Sequence, residues 1–556
     1  MTNGERTEGM NRRTLLRTAA IGGGVTLLGS QFGFSFAATP KGSLTVETQY
    51  GKILGTETNG VSMFAGVPYG GSTEGAGRFM PPSKPKSWVD VRDATSPGPR
   101  SPQNAPPLGP PGPDPLGREI DLYFTGGRAN SLELNNNKMG EDCLVLNVTT
   151  PGTRGKRPVM VFIHGGGFAS GDGILALSAD KWVREEDIVV VGVNHRLNVF
   201  GYTYLGGISE KYGDSGNVGQ LDLIAALEWV RDNIANFGGD PHNVTIFGQS
   251  GGGGKISTLL AMPRAKGLFS RAIVESGSML RVATPEEGTK QAMALLGALG
   301  LTEGQVDELQ RLPVEKLLAV RIPMAPPGSG DGMGTQPVMD GRSVPQQTWT
   351  PEAPKTASGV SMIIGCCKDE STSFALGDQA LFSLDEGSLR VRIVNAGIPE
   401  AEVDRLLGLY RRDYPKDSPS DLYFRVSSDR TARRNVMNQA DRKLAGGAGK
   451  VYIYDFAWNT PVFGGKLRAF HTSELPLVYR RVQFPQSEEL SRQLAGAWAA
   501  FARSGDPNHA GLPTWTAYSA AERPTMIFDV GKTQLASNPS KEELALLAKY
   551  PTNGLL

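Results

Sequence analysis

Cysteine and histidine are scarce in this chain, with three and five copies in 556 residues. Two of the cysteines, Cys366 and Cys367, are neighbours, and the third is Cys143. Adjacent Cα atoms stand about 3.8 Å apart, short of the roughly 4.4 to 6.8 Å that a disulfide spans, so no structural disulfide is expected. Neither sign of charge predominates: 57 Lys and Arg face 56 Asp and Glu, for a net charge of +1. A near-neutral chain without a basic run lacks the electrostatic footprint that phosphate backbones require, which excludes nucleic acid as a partner. There is no internal repeat and no long run of like charge. No Walker-type Lys-Ser/Thr follows the glycines at 165 to 167, a strand-linked G-x-G-x-x-G with an acidic partner is missing too, and no cofactor or metal ion is expected.

Hydrophobic content of 39% and charged content of 20% describe a soluble globular protein with ample material for a core. By length the chain could hold several domains or one large α/β unit, and the order of its elements must decide. The N-terminus stands apart. Asn11-Arg12-Arg13-Thr14-Leu15-Leu16-Arg17 precedes a weakly apolar, Gly-rich run from Thr18 to Phe36, and Ser35-Phe36-Ala37 is followed by Ala38. This resembles a twin-arginine export signal cleaved after Ala37, with an ordinary Sec signal as the rival reading. A membrane anchor is disfavoured, because glycines at 22, 23, 24, 29 and 33 interrupt the run of about 20 apolar residues a span needs. The expected organisation is therefore a signal peptide at 1–37 and a single exported domain at 38–556, periplasmic or secreted, without stable membrane insertion.

Read in order, Gly42 to Ile53 alternates apolar and polar residues around a glycine turn, as in a hairpin, and Phe64 to Tyr69 continues it. Residues Ser96 to Glu119 are dense in Pro and Gly and predict an extended surface segment leading through a long loop to Asn137; an interdomain linker is the alternative. Strands are predicted over Glu141 to Val148, Pro158 to Ile163 and Ile188 to Val193, the last two as unbroken apolar runs suited to burial on both faces. From Val218 to Ile234 apolar residues recur at spacings of three and four, which marks a helix with one buried face, ended by Gly238 and Gly239. Further strands are expected at Val244 to Phe247, Arg271 to Gly277, Val360 to Gly365 and Val451 to Phe456. Helical segments are expected at Ala176 to Arg184, within Thr284 to Arg321 as a cap beside the mouth of the site, over much of Ser388 to Leu444, and at Ser487 to Arg503. Alternating strands and helices imply a parallel sheet with crossovers.

One stretch organises the rest. Val244 to Gly254, VTIFGQSGGGG, reads as a strand turning sharply into a helix, with Ser250 at the corner of a G-x-S-x-G elbow. Acyl transfer by a serine needs a base for the hydroxyl proton, an acid to hold that base in the right tautomer, and N–H donors aimed at the oxyanion. Of the histidines, His164 belongs to a glycine motif, His195 follows a strand, His242 lies in a Pro-containing turn and His509 stands near the C-terminus; elimination leaves His471 as the base. The acid lies at the end of the Val360 strand, where Asp369 and Glu370 are adjacent and the residues alone do not choose between them. His164-Gly165-Gly166-Gly167 follows a buried strand, where N–H groups without side chains can point into a cavity.

Taken together, the chain resembles the type B carboxylesterases, the family that includes cholinesterases and bacterial p-nitrobenzyl esterases. The resemblance covers nearly all of residues 38–556 and rests on ordered motifs: Phe64 to Tyr69, Arg78-Phe79, Glu141 to Leu144, HGGGF at 164 to 168, the Ser250 elbow, Lys368-Asp369-Glu370, His471 and Phe501 to Pro507. It implies an α/β-hydrolase fold, with a large, mostly parallel central sheet flanked by helices, N-terminal antiparallel strands and helical cap segments. It also implies Ser250 as nucleophile, Glu370 as acid, His471 as base, and Gly166, Gly167 and Gly251 as oxyanion donors, with Arg78 and Glu141 as a structural ion pair. The implied activity is hydrolysis of neutral, small-molecule carboxylic esters through an acyl-enzyme. An amidase or carbamate hydrolase would share the triad, and non-catalytic neuroligin-like proteins lack the serine. Three departures from the family pattern stand out. Gln249 replaces the usual Glu and Gly251 the usual Ala, the disulfide partner of Cys143 is lost with Ser101 in its place, and the cholinesterase indole is missing.

Overall fold

The computed structural model describes residues 42–104, 119, 123, 138–321 and 334–550. The expected export segment and most of the Pro- and Gly-rich stretch with its continuation to Asn137 lie outside those residues. Among the described residues thirteen strands form one sheet. They are β1 (Ser43–Thr48), β2 (Gly51–Thr58), β3 (Val61–Pro68), β4 (Arg92–Asp93), β5 (Val145–Thr150), β6 (Arg157–Ile163), β7 (Val189–Val193), β8 (Gly239–Gln249), β9 (Arg271–Glu275), β10 (Ser361–Cys367), β11 (Val451–Phe456), β12 (Pro524–Phe528) and β13 (Gln534–Ser537). Their order is β1-β2-β3-β5-β7-β6-β8-β9-β10-β11-β12-β13, with the two-residue β4 beside β2. From β7 through β12 every neighbouring pair is parallel, whereas the pairs from β1 to β7 and the last pair are antiparallel. This is the α/β-hydrolase sheet implied by the resemblance.

The alternation of side chains along each strand builds the layers. Val159, Val161 and Ile163 of β6, Val189, Val191 and Val193 of β7, and Val244 and Ile246 of β8 all enter one core. There they meet Leu221, Ile224, Leu227 and Val230 of the helix Val218–Asn233. The intervening Met160, Phe162, Val190 and Phe247 enter a second core with Trp182, Leu494, Trp498 and Phe501. Strands buried on both faces therefore carry continuous apolar runs, and each such side chain contributes about 1.5 to 3 kcal/mol on burial. The helix Val218–Asn233, its 3-10 extension Ile234–Phe237 and the left-handed Gly238 (φ 79°) follow the predicted periodicity and stop signal.

Three expectations need correction. The strand expected to begin at Glu141 begins at Val145, because Glu141 is occupied elsewhere: its carbonyl accepts from Thr73 N (3.2 Å) and its carboxylate holds Arg78. The helix Glu488–Ser504, the last element expected from the sequence, is not the last: β12, β13 and the helix Lys541–Leu547 follow it. β12 and β13 are short runs of five and four residues, the last at the sheet edge, too brief to show a period in the sequence. Within Thr284 to Arg321 only Pro285–Ala298 is a long helix, opened by a Thr284/Glu287 capping box; a 3-10 turn and a short helix follow. This segment packs against Phe79, Val199, Phe200, Leu205 and Tyr212.

Candidate active site

The C-terminal ends of β6, β8, β9 and β10 bring the predicted residues together, at the edge of a parallel sheet where α/β proteins place their ligands. β8 ends at Gln249, and the helix Gly251–Leu259 starts immediately. Ser250 turns the corner with φ 58° and ψ −126°, a conformation that L side chains rarely adopt and that the surroundings must enforce. Its N–H donates to the Glu275 carbonyl at 2.8 Å, and its carbonyl accepts from Gly254 N at 3.0 Å. Glycine is required on either side of the corner: a Cβ at Gly248 or at Gly252 would run into the Ile163 carbonyl. The elbow thus sits directly on the end of β6, with the serine half-buried.

β10 ends at Cys367, and the 3-10 turn Glu370–Ala375 begins three residues on. Glu370 is fully buried. One carboxylate oxygen, Oε1, accepts from Cys367 N (2.7 Å) and Ser276 Oγ (2.5 Å), while Oε2 accepts from His471 Nδ1. A buried carboxylate is tolerable only when donors satisfy it, and three do so here. Asp369 is also fully buried but faces away, its backbone N–H bonded to the Ala469 carbonyl (3.0 Å) and Oδ2 within 3.4 Å of Ala469 N. Of the adjacent acids, Glu370 therefore meets the imidazole. His471 is 7% exposed, and the Gln249 carboxamide nitrogen lies 3.3 Å from its Nε2 and 3.5 Å from its Nδ1. Such nearly equal distances put the amide against the ring rather than in line with one nitrogen. No hydrogen bond joins Ser250 Oγ to His471 among the described residues, and unliganded sites often hold this contact open.

The glycine loop after β6 lies across the same corner. Gly166 (φ 81°) and Gly167 (φ 61°) both require glycine, and both are exposed, whereas His164 is buried. No acceptor among the described residues takes the N–H of Gly166 or Gly167. Gly251 heads the nine-residue helix, where the first N–H groups are free and the macrodipole favours negative charge. Among the described residues no group of His, Cys, Asp and Glu could hold a metal ion.

Comparison with known proteins follows the same lines. The carboxylesterase family model matches residues 42–547. The chain belongs to the carboxylesterase family. It is 35% identical to the para-nitrobenzyl esterase of Bacillus subtilis over 523 residues, covering 92% of this chain and 99% of that protein. It is 32% identical to the pig (Sus scrofa) liver carboxylesterase, over 92% of this chain and 94% of the relative. Among solved structures, a Geobacillus stearothermophilus carboxylesterase superposes with a TM-score of 0.73 at 32% identity, over 90% of this chain and 99% of that one.

Several features give this carboxylesterase its own character. Ser101, in the place of the disulfide partner, accepts from Leu197 N at 3.2 Å, and burial pushes the pKa of the Cys143 thiol up to about 12. All three cysteines are free and buried. Arg78 and Glu141 form the expected pair, Nε to Oε1 at 2.7 Å and Nη2 to Oε2 at 2.5 Å, and Arg78 also caps the carbonyls of Leu309 and Leu312. His164 and His195 are buried and stacked, His242 is exposed, and His509 Nε2 donates to the Gln493 carbonyl (3.0 Å). Ser276 and Phe374 were not singled out from sequence. Ser276 holds Glu370, and reading what stands at each strand end would have found it. Phe374 is 61% exposed and packs its ring 4.9 Å from that of His471, so an aromatic face does border the site despite the missing indole. Two further carboxylates, Glu275 and Glu474, are buried, and burial raises the pKa of each, with the charge of Glu474 adding at Glu275 and that of Glu370 adding at Glu474. Cys367 Sγ and Tyr454 OH bond Glu474, at 2.9 and 3.4 Å, and Trp498 Nε1 bonds Glu275 at 2.5 Å.

The departure at Gly251 leads to a prediction. A Cβ there would run into the Gly167 carbonyl and Cα. Restoring the usual family residue by Gly251→Ala should therefore push the glycine loop out of register and lower kcat by about 100-fold, the loss expected for one oxyanion donor. Steady-state kinetics with p-nitrophenyl butyrate checks this, and an unchanged kcat would show that the loop yields freely.

Proposed function

We propose that the protein hydrolyses neutral carboxylic esters through an acyl-enzyme on Ser250, with His471 as general base, Glu370 orienting it, and the N–H groups of Gly166, Gly167 and Gly251 receiving the oxyanion. The observation that carries this reading is the contact of His471 Nδ1 with the buried carboxylate of Glu370, beside an elbow that strains Ser250 toward the open glycine loop. With Nδ1–H fixed on the carboxylate, Nε2 is left as the base. Each oxyanion donor is worth on the order of 3 kcal/mol in the transition state. The para-nitrobenzyl esterase and liver carboxylesterase relatives support an ester as the scissile group.

A neutral carboxamide, Gln249, stands beside the nucleophile where a carboxylate would draw cations, which favours uncharged alcohol groups. Phe374 offers an apolar face, where burial at about 25 cal/mol per Å² gives broad selection, a methylene being worth about 1 to 3 kcal/mol. p-Nitrophenyl butyrate should be turned over readily. Butyrylcholine should be hydrolysed no faster, in kcat/KM, than its neutral isostere 3,3-dimethylbutyl butyrate. A clear preference for the charged ester would show that Phe374 or a buried carboxylate creates a cation site, since cation-π attraction in a desolvated site reaches about 2 kcal/mol.

The mature enzyme is taken to be residues 38–556, exported by the twin-arginine route. Replacing both Arg12 and Arg13 by Lys should retain the precursor in the cytoplasm, as followed by cell fractionation; export at the normal rate would favour the Sec route.

A further inference from the structure

Lys255 lies in the first turns of the helix that Ser250 opens, and it is fully buried. Its Nζ donates to the carbonyl of His164 at 2.9 Å and lies 5.8 Å from the centre of the Phe168 ring. No carboxylate pairs with it among the described residues, and burial lowers its pKa to about 7. The groups around it supply no negative charge. His164 and His195 stack with ring centroids 4.7 Å apart and planes at 16°. Each Nδ1 lies against a backbone carbonyl, Gly165 at 3.0 Å and Arg196 at 2.8 Å, so each Nδ1 must carry the proton. Burial and the neighbouring Lys255 keep both rings from gaining a second proton. A solitary buried ammonium is costly to fold around, and the surface alternatives for a lysine are many.

Its position offers a reason. His164 is the residue from which the glycine loop departs, and Lys255 belongs to the helix that Gly251 begins. The two elements that supply the oxyanion N–H groups are thus tied by one side-chain bond. His164 O also sits over the helix start, where a Cβ on Gly252 would approach it to 3.1 Å. We propose that Lys255 is a positioning residue for ester hydrolysis: by holding the His164 carbonyl it keeps Gly166 and Gly167 in register with Gly251, so that donors from loop and helix converge on one oxygen. The proposal rests on those three glycines being the oxyanion donors. Lys255 touches no reacting atom; it acts through the loop.

The test is a split between binding and turnover. With p-nitrophenyl butyrate, Lys255→Met should lower kcat by about 10- to 100-fold, less than outright loss of a donor, while KM stays within about threefold. Binding of an alkyl trifluoromethyl ketone, whose adduct with the serine carries an oxyanion, should weaken in proportion to kcat. A residue that served stability alone would lower the melting temperature without this paired loss. If Lys255→Met does not accumulate as folded protein, Lys255→Gln, shorter and uncharged, should show the same paired loss of at least about threefold. A folded variant with kcat within threefold of the parent, or one that loses kcat while binding the ketone equally well, would overturn the proposal. Covalent labelling of Ser250 by an organophosphate, read by mass spectrometry, separates this from failure of the underlying mechanism, because the label reports the nucleophile whatever Lys255 does.

Discussion

Ser250→Ala is expected to lower kcat for p-nitrophenyl butyrate by about 10⁴- to 10⁶-fold, with the fold intact, and His471→Ala by a similar factor. The two losses should not add. In the proposed mechanism nucleophile and base act as one unit, so the double variant should be no slower than either single variant beyond about tenfold. The parent should release a burst of p-nitrophenol of one equivalent per site when deacylation is slower than acylation, and the burst should vanish in Ser250→Ala. The fold should survive both changes. Ser250 contributes only its hydroxyl to the open side of the corner, while its backbone bonds to Glu275 and Gly254 remain. Circular dichroism and the melting temperature check that part. Retention of more than about a tenth of the activity by either variant would move the chemistry to another residue.

Glu370→Gln is expected to cost about 10⁴-fold in kcat, and the hydrogen bonds around Glu370 dictate why. Oε1 accepts from Cys367 N and Ser276 Oγ, and the Cys367 N–H, which can only donate, requires an oxygen at that place. The glutamine carbonyl must take that place, so its NH2 falls against His471 Nδ1. That nitrogen must then give up its proton, the proton moves to Nε2, and the imidazole can no longer act as base toward Ser250. Asp369→Asn should leave kcat within about tenfold, since Asp369 faces the Ala469 backbone and the carboxamide keeps an acceptor there. The change belongs to stability: burial raises the Asp369 pKa, and Arg425, Lys368 and Arg468 lower it again. Kinetics on the two variants side by side decides the assignment, and the reverse ranking would make Asp369 the acid.

The sequence carried the sheet wherever burial was two-sided. The runs of β6, β7, β8 and β11 were legible because both faces of each strand meet a core, which selects apolar residues at most positions. It carried much less where a segment is held by specific contacts. Glu141 to Leu144 run directly into the apolar stretch of β5, yet the Arg78 pair and the bond to Thr73 hold Glu141 outside the ladder, and neither is visible from local pattern. β12 and β13 are fixed by neighbours far along the chain, Ile453 to Phe456 for the first. At the site, Ser250 and the glycine loop were readable because their chemistry is written in a short spacing. The choice of Glu370 over Asp369 depended on resemblance until the direction of each side chain off the 3-10 turn was known. Ser276, Phe374 and Lys255 act through space on residues 94, 97 and 91 positions away, a distance no periodicity spans.

The short segment Glu275-Ser276 has a mechanical consequence. The Glu275 carbonyl holds the backbone of Ser250, the Ser276 hydroxyl holds Glu370, and the Ser276 N–H is anchored on the Gly365 carbonyl of β10 at 2.8 Å. Ser250 and Glu370, 120 residues apart in the chain, thus hang from one common mount at the end of β9. Because the two holding bonds end on adjacent residues, any shift of that mount would be shared by Ser250 and Glu370 rather than separating them. The imidazole is the remaining member and arrives on a separate loop. In the proposed mechanism, alignment then depends chiefly on the placement of His471 between Glu370 and Ser250.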